Sequence, residues 1–418
     1  MIFIGVYATV DFGVDTDVTA LFKIQRQFEP QGPLVNSEFY PGWLVHWGEK
    51  MANVATSSVT KTLREILGAG ANVNFYMFHG GSNFGFTAGA NKDDAAHNYT
   101  AHIQSYDFDA PISEAGDLTE KYWEIQKVIS EYLPLPNISV ANSPKGNYGE
   151  ITVWPVASLF APRIRSGLGS ITHKDYPSTF EAVGQNSGYM LYETVLPKSL
   201  EQWLWIENFS DLAHVYVNEA LIGNLSREFK TNSLQIPQTQ NDDKLSIVVE
   251  NLGRINIGHF NNDSKGILSN VTLGSEILKS WDQTSFEFYN FSAVEECYWQ
   301  GKNEGDETVK APEDCNSGNG FMFYVGDFQL NPNLEKGKKE VLLDTYLNVS
   351  NLEKGLVFVN GFNIGRCWPA RGPQFTLYIP GVYLRSYPET NVIVVMDEEV
   401  RESQIKLSFT TEAILDRG

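Results

Sequence analysis

The chain has 418 residues, which is more than one ordinary domain holds, so we expect two or three domains. A formal net charge of −20 and a pI of about 4.8 argue against nucleic acid and anionic membranes, because both attract basic surfaces. No apolar run approaches the roughly 18 residues of a membrane span.

The first 133 residues alternate between patterns typical of strands and of helices. We predict strands at Ile2–Val10, Pro33–Glu38 and Val73–Phe78, and helices at Asp17–Gln27, from Thr56 to Gly68 and from Asp117 to Pro134. The residues predicted to face inward from the last two helices are Val59, Leu63, Ile66, Leu67, Leu118, Tyr122, Ile125, Ile129 and Tyr132. Repeated βα units indicate a parallel sheet, either open or closed into a barrel.

From about Val140 the pattern changes to short strands rich in Val, Ile, Tyr, Phe and Trp, broken by Gly, Pro, Asn and Ser. Turns every 8–12 residues or so are typical of β-sandwiches. The stretch from Val215 to Gly223 resembles the stretch from Val357 to Gly365, and each is followed by another apolar strand. We infer two similar β domains, joined near the polar stretch from Gln300 to Gly320.

A carboxylate surrounded by aromatic residues stands out near the start of the chain. Glu38 ends an apolar strand and is followed by Phe39, Tyr40, Trp43 and Trp47. Retaining hydrolysis of a glycosidic bond needs two carboxyl groups about 5–5.5 Å apart, and aromatic rings stack on the CH faces of sugars. Glu38 is therefore a candidate for one catalytic carboxylate, while a surface or ion-paired Glu38 among core aromatics is the alternative.

The next strand end supplies Tyr76 and Asn83 as polar contacts, and Gly80 with Gly81 allows a tight turn there. His79 is interpreted as a core histidine in preference to a general acid. The spacing of His, Cys and carboxylate residues matches no metal site, and no phosphate-binding glycine loop is present. We therefore predict no metal and no cofactor.

Two features favour the secretory route. Cys297 and Cys315 flank a polar loop and are candidates for a disulfide, with Cys367 left over. Eight Asn-X-Ser/Thr sequons begin at Asn98, Asn137, Asn208, Asn224, Asn262, Asn270, Asn290 and Asn348. The apolar start lacks the features of a signal peptide, so we expect that any such peptide is missing from this chain.

Several long motifs in order resemble glycoside hydrolase family 35. They run from Asn36 to Trp43, from Asn74 to Phe84, from Ser105 to Pro111, from Val249 to Arg254 and from Val359 to Gln374. The resemblance implies a retaining enzyme that removes terminal β-linked galactose through a galactosyl-enzyme intermediate. It also implies that Glu38 is the nucleophile and that Trp43, Tyr76 and, less directly, Tyr106 contact the galactoside substrate.

The family has a (β/α)8 TIM barrel followed by two jelly-roll β-sandwich domains, which fits the patterns above. We predict the last three βα units of a barrel over residues 1–133 and a linker with first β segments over 134–169. A first β domain covers 170–299, a connecting loop 300–319 and a second β domain 320–418. The chain is thus expected to be an N-terminally truncated member of the family.

The sequence departs from the family in two places. The Asn-Glu-Tyr-Gly motif that carries the family's acid/base residue is absent, and Asp11 or Asp107 is a poor substitute, Asp11 being better suited to holding loops. Phe108 stands where the family usually has Tyr, which puts a sugar hydrogen bond in doubt. We therefore expect the chain as given to be poorly active or inactive.

Two other interpretations stay open. The chain can be a non-catalytic product whose β domains bind carbohydrate or protein, or a related glycosidase with a different sugar preference. A homodimer is one option for the oligomeric state.

Overall fold

The computed structural model describes residues 5–92, 98–257, 262–303, 308–315, 321–330, 342–399 and 403–416. The chain divides into two compact units. Unit 1 comprises Met1–Ser82, Ser105–Lys145 and Leu415–Gly418, and unit 2 comprises Asn83–Gln104 and Gly146–Ile414.

The helices of the described residues are α1 Val18–Phe28, α2 Thr56–Gly68, α3 Glu120–Ser130, α4 Pro162–Leu168 and α5 Ser292–Gly301, with 3₁₀ turns at Glu181–Val183 and Gly381–Tyr383. The strands are β1 Val10–Gly13, β2 Val35–Tyr40, β3 Asn72–Phe75, β4 Gly81–Ser82, β5 Ala90–Lys92, β6 Tyr99–Ala101, β7 Ser105–Tyr106, β8 Glu150–Ser158, β9 Ser170–Lys174, β10 Tyr189–Val195, β11 Gln202–Ile206, β12 Phe209–Ser210, β13 Leu212–Val217, β14 Ala220–Ser226, β15 Ser233–Ile236, β16 Lys244–Glu250, β17 Gly266–Ile267, β18 Val271–Leu273, β19 Glu276–Ile277, β20 Trp281–Phe286, β21 Met322–Gln329, β22 Thr345–Asn348, β23 Gly355–Val359, β24 Phe362–Cys367, β25 Thr376–Ile379, β26 Thr390–Asp397 and β27 Ile405–Thr410. The chain is mostly β with a small α/β part, as predicted.

Unit 1 contains a parallel sheet with the strand order β1-β2-β3. Helices α1, α2 and α3 supply apolar residues that pack on this sheet, including Phe22, Leu63 and Ile125. The Asp17 side chain caps α1 by accepting a hydrogen bond from the Ala20 amide, which fixes where that helix begins. The predicted alternation of strands and helices is confirmed.

Several predicted bounds and orientations in unit 1 are wrong. Strand β2 covers Val35–Tyr40 rather than Pro33–Glu38, and α3 begins at Glu120 rather than Asp117. Within the predicted Ile2–Val10 strand, residues 5–9 are not strand, because Tyr7 and Ala8 bond to Pro33 and Glu29 beyond α1. Val10 is the first residue of β1, and residues 2–4 lie outside the described residues. Strand β3 ends at Phe75 rather than Phe78. Tyr132 lies beyond α3 and is exposed, with its hydroxyl donating to the Arg64 carbonyl.

Unit 2 contains a β-sandwich. A six-stranded antiparallel sheet, β14-β13-β16-β10-β20-β9, faces a four-stranded sheet, β15-β11-β18-β19. Their inner faces share one core, to which Met190 and Ile247 contribute from the first sheet and Leu204 and Val271 from the second. An eight-stranded sheet, β24-β23-β26-β21-β8-β27-β22-β25, has its own core and completes this unit.

The repeated sequence pattern corresponds to a repeated arrangement of strands. Hairpins β13–β14 and β23–β24 each pair with a later strand, β16 or β26, on the side of the first hairpin strand. Both turns, Asn218-Glu219 and Asn360-Gly361, have positive φ at both residues, as a two-residue hairpin turn of type I′ requires. The sequence repeat therefore corresponds to a shared strand topology, and the division into two β domains stays a prediction.

Cys297 and Cys315 form a disulfide, and Cys367 is a buried free thiol. The two bonded cysteines are 18 residues apart in the chain.

Changing both Cys297 and Cys315 to Ala is expected to lower the free energy of unfolding by about 3 kcal/mol, since the unfolded chain regains loop freedom. Urea unfolding with and without reductant measures this loss. Reductant must have no further effect on the double variant, and an effect there would assign the sensitivity to Cys367.

Candidate active site

Glu38 lies on strand β2 of unit 1, between Ser37 and Phe39, and Phe39 is fully buried. Asn36 is buried and locks the strand, because its side-chain amide donates to the Phe12 carbonyl and its oxygen accepts from the Glu38 amide. Glu38 itself is half-buried. The carboxylate therefore stands on a rigid backbone while remaining open to a ligand.

Tyr40 holds the Glu38 carboxylate directly. Its hydroxyl donates to Glu38 Oε2 at 2.7 Å, which two residues of spacing on one strand allow. Burial, and then the hydrogen bond to Glu38, raises the pKa of Tyr40 well above its usual range. Tyr40 therefore stays protonated and fixes one carboxylate oxygen. Sequence reasoning assigned Tyr40 only a stacking role, although the Glu-x-Tyr spacing on a strand was the available signal.

The other predicted site residues gather around this pair. The Trp43 ring lies 5.1 Å from the Tyr40 ring, edge to face, and 52% of Trp43 is exposed. The Tyr76 ring lies 6.3 Å from the Tyr40 ring, and the Tyr76 hydroxyl is 3.4 Å from that of Tyr106. The structure thus brings Glu38, Trp43, Tyr76 and Tyr106 into one aromatic-walled site, with hydroxyls suited to a sugar.

Phe108 supports the walls of this site. It is buried, stacks on the Tyr106 ring at 5.5 Å and contacts the Tyr76 and Trp43 rings at 5.6 and 6.0 Å. Gly42 permits this packing, because a side chain there would collide with the Phe108 carbonyl oxygen, 1.7 Å from the position of a Cβ. Phe108 therefore positions the aromatic rings without a hydroxyl of its own.

Other residues named from the sequence have different surroundings. His79 is exposed, so its interpretation as a core histidine is wrong. Asn83 belongs to unit 2, where its amide donates to the Ile103 carbonyl. Asp11 is aligned with Glu38 on the neighbouring strand but is exposed, and it accepts a hydrogen bond from Ser37 at 2.5 Å. Asp11 therefore joins strands β1 and β2 rather than holding loops.

Glu114 is a carboxyl group that sequence reasoning missed. It accepts hydrogen bonds from Ser82 on β4 and from Ser105 on β7, the strand that carries Tyr106. Removal from water raises the pKa of Glu114 to about 7, more than the two serine hydroxyls lower it, and the Asp107 charge adds to the rise. This carboxyl group therefore ties the Tyr106 strand to its neighbour in a pH-dependent way.

The raised pKa makes stability depend on pH with a defined sign. A carboxyl group with a higher pKa in the folded state favours folding below the unfolded value of 4.5, and this contribution disappears as pH rises through about 7. We expect the free energy of unfolding to fall by on the order of 2–3 kcal/mol between pH 4.5 and 8 on this account. Glu114→Gln removes that slope, while the exposed Glu120→Gln control keeps it. Equal slopes in urea unfolding of all three proteins would contradict the assignment.

Neither a membrane-spanning helix nor a metal centre is found among the described residues. No helix there is long and apolar enough to cross a membrane. No group of three or more His, Cys, Asp or Glu residues in that part of the chain is arranged to hold a metal ion.

The fold combines an α/β unit with a mostly β unit, and comparison with known proteins specifies the family of the chain. Residues 3–132 match "Glycosyl hydrolases family 35", residues 177–287 match "Beta-galactosidase, first all-beta domain" and residues 321–391 match "Beta-galactosidase, galactose-binding domain". The chain belongs to glycosyl hydrolase family 35.

Curated relatives cover nearly all of this chain. The β-galactosidase of Felis catus is 40% identical over 403 residues, and that of Homo sapiens is 38% identical over 403 residues. Each match covers 94% of this chain but only 58% and 57% of the relative. Among solved structures, the β-glucuronidase of Bacteroides uniformis aligns over 58% of this chain and 24% of its own, with 11% identity and a TM-score of 0.19.

Proposed function

We propose that this chain carries the nucleophile of a retaining β-galactosidase and that Glu38 attacks the anomeric carbon of a terminal β-linked galactose. The observation that carries the proposal is the Glu38–Tyr40 hydrogen bond inside the walls formed by Trp43, Tyr76 and Tyr106. Tyr40 fixes Oε2, so Oε1 is the oxygen left to attack. The match to family 35 over residues 3–132 supports the same assignment.

The reaction has two displacements. Glu38 forms a bond to the anomeric carbon as the bond to the leaving oxygen breaks, and a general acid gives that oxygen its proton. Water, deprotonated by the same group, then breaks the ester bond and releases galactose with its original configuration. Trp43 is proposed to stack on the sugar, and Tyr76 and Tyr106 to bond its hydroxyls.

The second carboxyl group decides how active the chain is by itself. Asp11 is the carboxylate aligned with Glu38 in the sheet of the described residues, and its bond to Ser37 commits it to joining the strands. We therefore propose that the chain alone turns over unactivated galactosides poorly. Loss of general acid catalysis costs on the order of 10²–10⁴ in rate.

The unit 1 fold supports part of a larger architecture. Its three parallel strands carry Glu38 near the carboxyl end of β2 and Tyr76 just after β3, where (β/α)8 barrels place their active sites. We propose that this unit is the last part of such a barrel, followed by two jelly-roll domains with the bounds given above. The chain spans about 58% of the length of the curated relatives. The barrel architecture and the galactosidase activity of the whole protein are therefore proposed together.

The test uses a substrate whose leaving group departs without being protonated. Such a substrate reports on sugar binding and on the nucleophile, and it does not require the general acid. A 2,4-dinitrophenyl 2-deoxy-2-fluoro-β-galactoside should label the purified chain once, on the peptide that contains Glu38. An alkyl β-galactoside should be hydrolysed far more slowly than its dinitrophenyl counterpart. Absence of labelling in a folded chain would overturn the nucleophile assignment, and equal rates would overturn the missing-acid part. Labelling by a different fluoroglycoside would favour another sugar preference.

A non-catalytic binding protein is the rival function, and the match of residues 321–391 to a galactose-binding domain favours it. Titration calorimetry of the whole chain with galactose separates the two. Binding that is unchanged in the Trp43→Ala variant, together with absent labelling, would support the rival. Binding lost in that variant would place the sugar beside Glu38.

We also propose that the protein follows the secretory route to the lysosome or cell exterior. The Cys297–Cys315 disulfide supports an oxidising compartment. Seven of the eight sequon asparagines are exposed and Asn348 is half-buried, so all of them lie where an attached glycan can be accommodated.

A further inference from the structure

Two neighbouring tryptophans lie on the outer face of the β-sandwich in unit 2. Trp203 and Trp205 alternate along β11 with Leu204 and Ile206, which are buried in the sandwich core. The tryptophans point the other way and are 57% and 46% exposed. Indole rings are costly to leave in water, so a pair of them on one flat sheet face indicates a covering group.

The residues that lie opposite this pair across the neighbouring strands are uncharged. The cross-strand register places Gln235 opposite Trp203, Ser233 and Thr272 opposite Trp205, and Ile277 opposite Thr272. We call the face formed by Trp203, Trp205, Ser233, Gln235, Thr272 and Ile277 the tryptophan face. Aromatic rings flanked by neutral hydrogen-bonding groups match the apolar CH face and the hydroxyls of a sugar better than they match a charged partner.

An N-glycosylation sequon overlaps this face. Thr272 is the third residue of the sequon that begins at Asn270, and it lies directly opposite Trp205. Asn270 is exposed and directly precedes Val271, the first residue of β18, so it stands two residues before Thr272. A position two residues from a directly opposed pair lies about 7–8 Å from the partner across the strands. The first ring of a glycan on Asn270 therefore reaches Trp205, and later rings reach Trp203.

We propose that Asn270 carries an N-linked glycan whose first rings lie on Trp205 and Trp203. The glycan removes both indoles from water and stiffens the four-stranded sheet. This inference rests on the secretory route proposed above and is independent of the chemistry at Glu38.

The test uses the full chain secreted from a glycosylating eukaryotic host behind a signal sequence. Glycopeptide mass spectrometry should find the Asn270 peptide occupied. Asn270→Gln should increase acrylamide quenching of tryptophan fluorescence and lower Tm by about 2–4 °C. Thr272→Ala, which destroys the sequon, should do the same, whereas Thr272→Ser keeps the sequon and should resemble the wild type. Asn137→Gln and Asn208→Gln are the controls for sequons elsewhere and should change neither readout.

A double-mutant cycle isolates the contact between sugar and indole. In a Trp203→Gln/Trp205→Thr background, adding Asn270→Gln should change Tm little, because the rings it uncovers are gone. An unoccupied Asn270, or an occupied one whose loss leaves quenching and Tm unchanged, overturns the proposal. The proposal is also overturned if Asn270→Gln lowers Tm equally with and without the two tryptophans. It is overturned too if Asn208→Gln, rather than Asn270→Gln, increases the quenching of tryptophan fluorescence.

Discussion

Replacing Glu38 by Gln is expected to abolish covalent labelling by the dinitrophenyl fluorogalactoside. The rate at which the protein hydrolyses dinitrophenyl β-galactoside, which lacks the fluorine, should fall by on the order of 10⁴-fold or more. The physical reason is that Gln keeps the shape and accepts the Tyr40 hydrogen bond but has no anionic oxygen to attack the anomeric carbon. Labelling is read by mass spectrometry of the intact protein and of the peptide around residue 38.

The matched control for this variant is Glu65→Gln. Glu65 is an exposed carboxylate on α2 of the same unit, so the substitution is chemically identical but lies away from the described site. The control should label at the wild-type rate, and both variants should unfold at the wild-type temperature. Labelling that persists in a folded Glu38→Gln protein would move the nucleophile to another residue.

Replacing Glu250 by Gln is expected to lower the free energy of unfolding by about 3–5 kcal/mol. Glu250 is fully buried at the end of β16, where Arg366 Nε donates to it at 2.5 Å and Lys354 forms a second ion pair with it. Lys354 also pairs with Glu398. The substitution leaves buried cations with one carboxylate fewer, and such charges cannot recover their solvation inside the protein.

Glu150→Gln is the matched control for the buried substitution. Glu150 pairs with Lys406 at 3.3 Å in the same unit, but the two side chains are 62% and 65% exposed. Water screens this pair, so the change should leave urea unfolding almost unaltered. A fall of roughly 10 °C in Tm is expected for Glu250→Gln alone. Equal small effects of both variants would show that the buried ions do not stabilise unit 2.

The buried ions connect elements of the sandwich to elements of the eight-stranded sheet. Glu250 belongs to the sandwich and Arg366 to the other sheet, and His214 on β13 lies 3.0 Å from Glu398 after β26. Burial alone would raise the pKa of Glu398, but Lys354 and His214 hold it well below its usual range. The charges therefore form a buried network of ion pairs that links the two β parts.

Local sequence determined much of this protein. Helix α2 was predictable because Val59, Leu63 and Ile66 repeat at helical spacing, and all three are fully buried. The hairpin at Asn360-Gly361 was predictable because those residues tolerate positive φ. Glu38, Trp43 and Tyr76 were candidates because each lies within a short sequence motif whose residue types suit sugar chemistry. Each of these signals depends on neighbours within a few residues.

Only the tertiary structure decided the features that depend on distant residues. The strand predicted over Ile2–Val10 begins at Val10 instead, since Tyr7 and Ala8 bond to groups more than 20 residues away. Glu114 gained its raised pKa from burial beside Ser82 and Ser105, and Tyr40 gained its role from the orientation of Glu38. Burial and electrostatic pairing are properties of the assembled chain, because they arise from which distant side chains exclude water together.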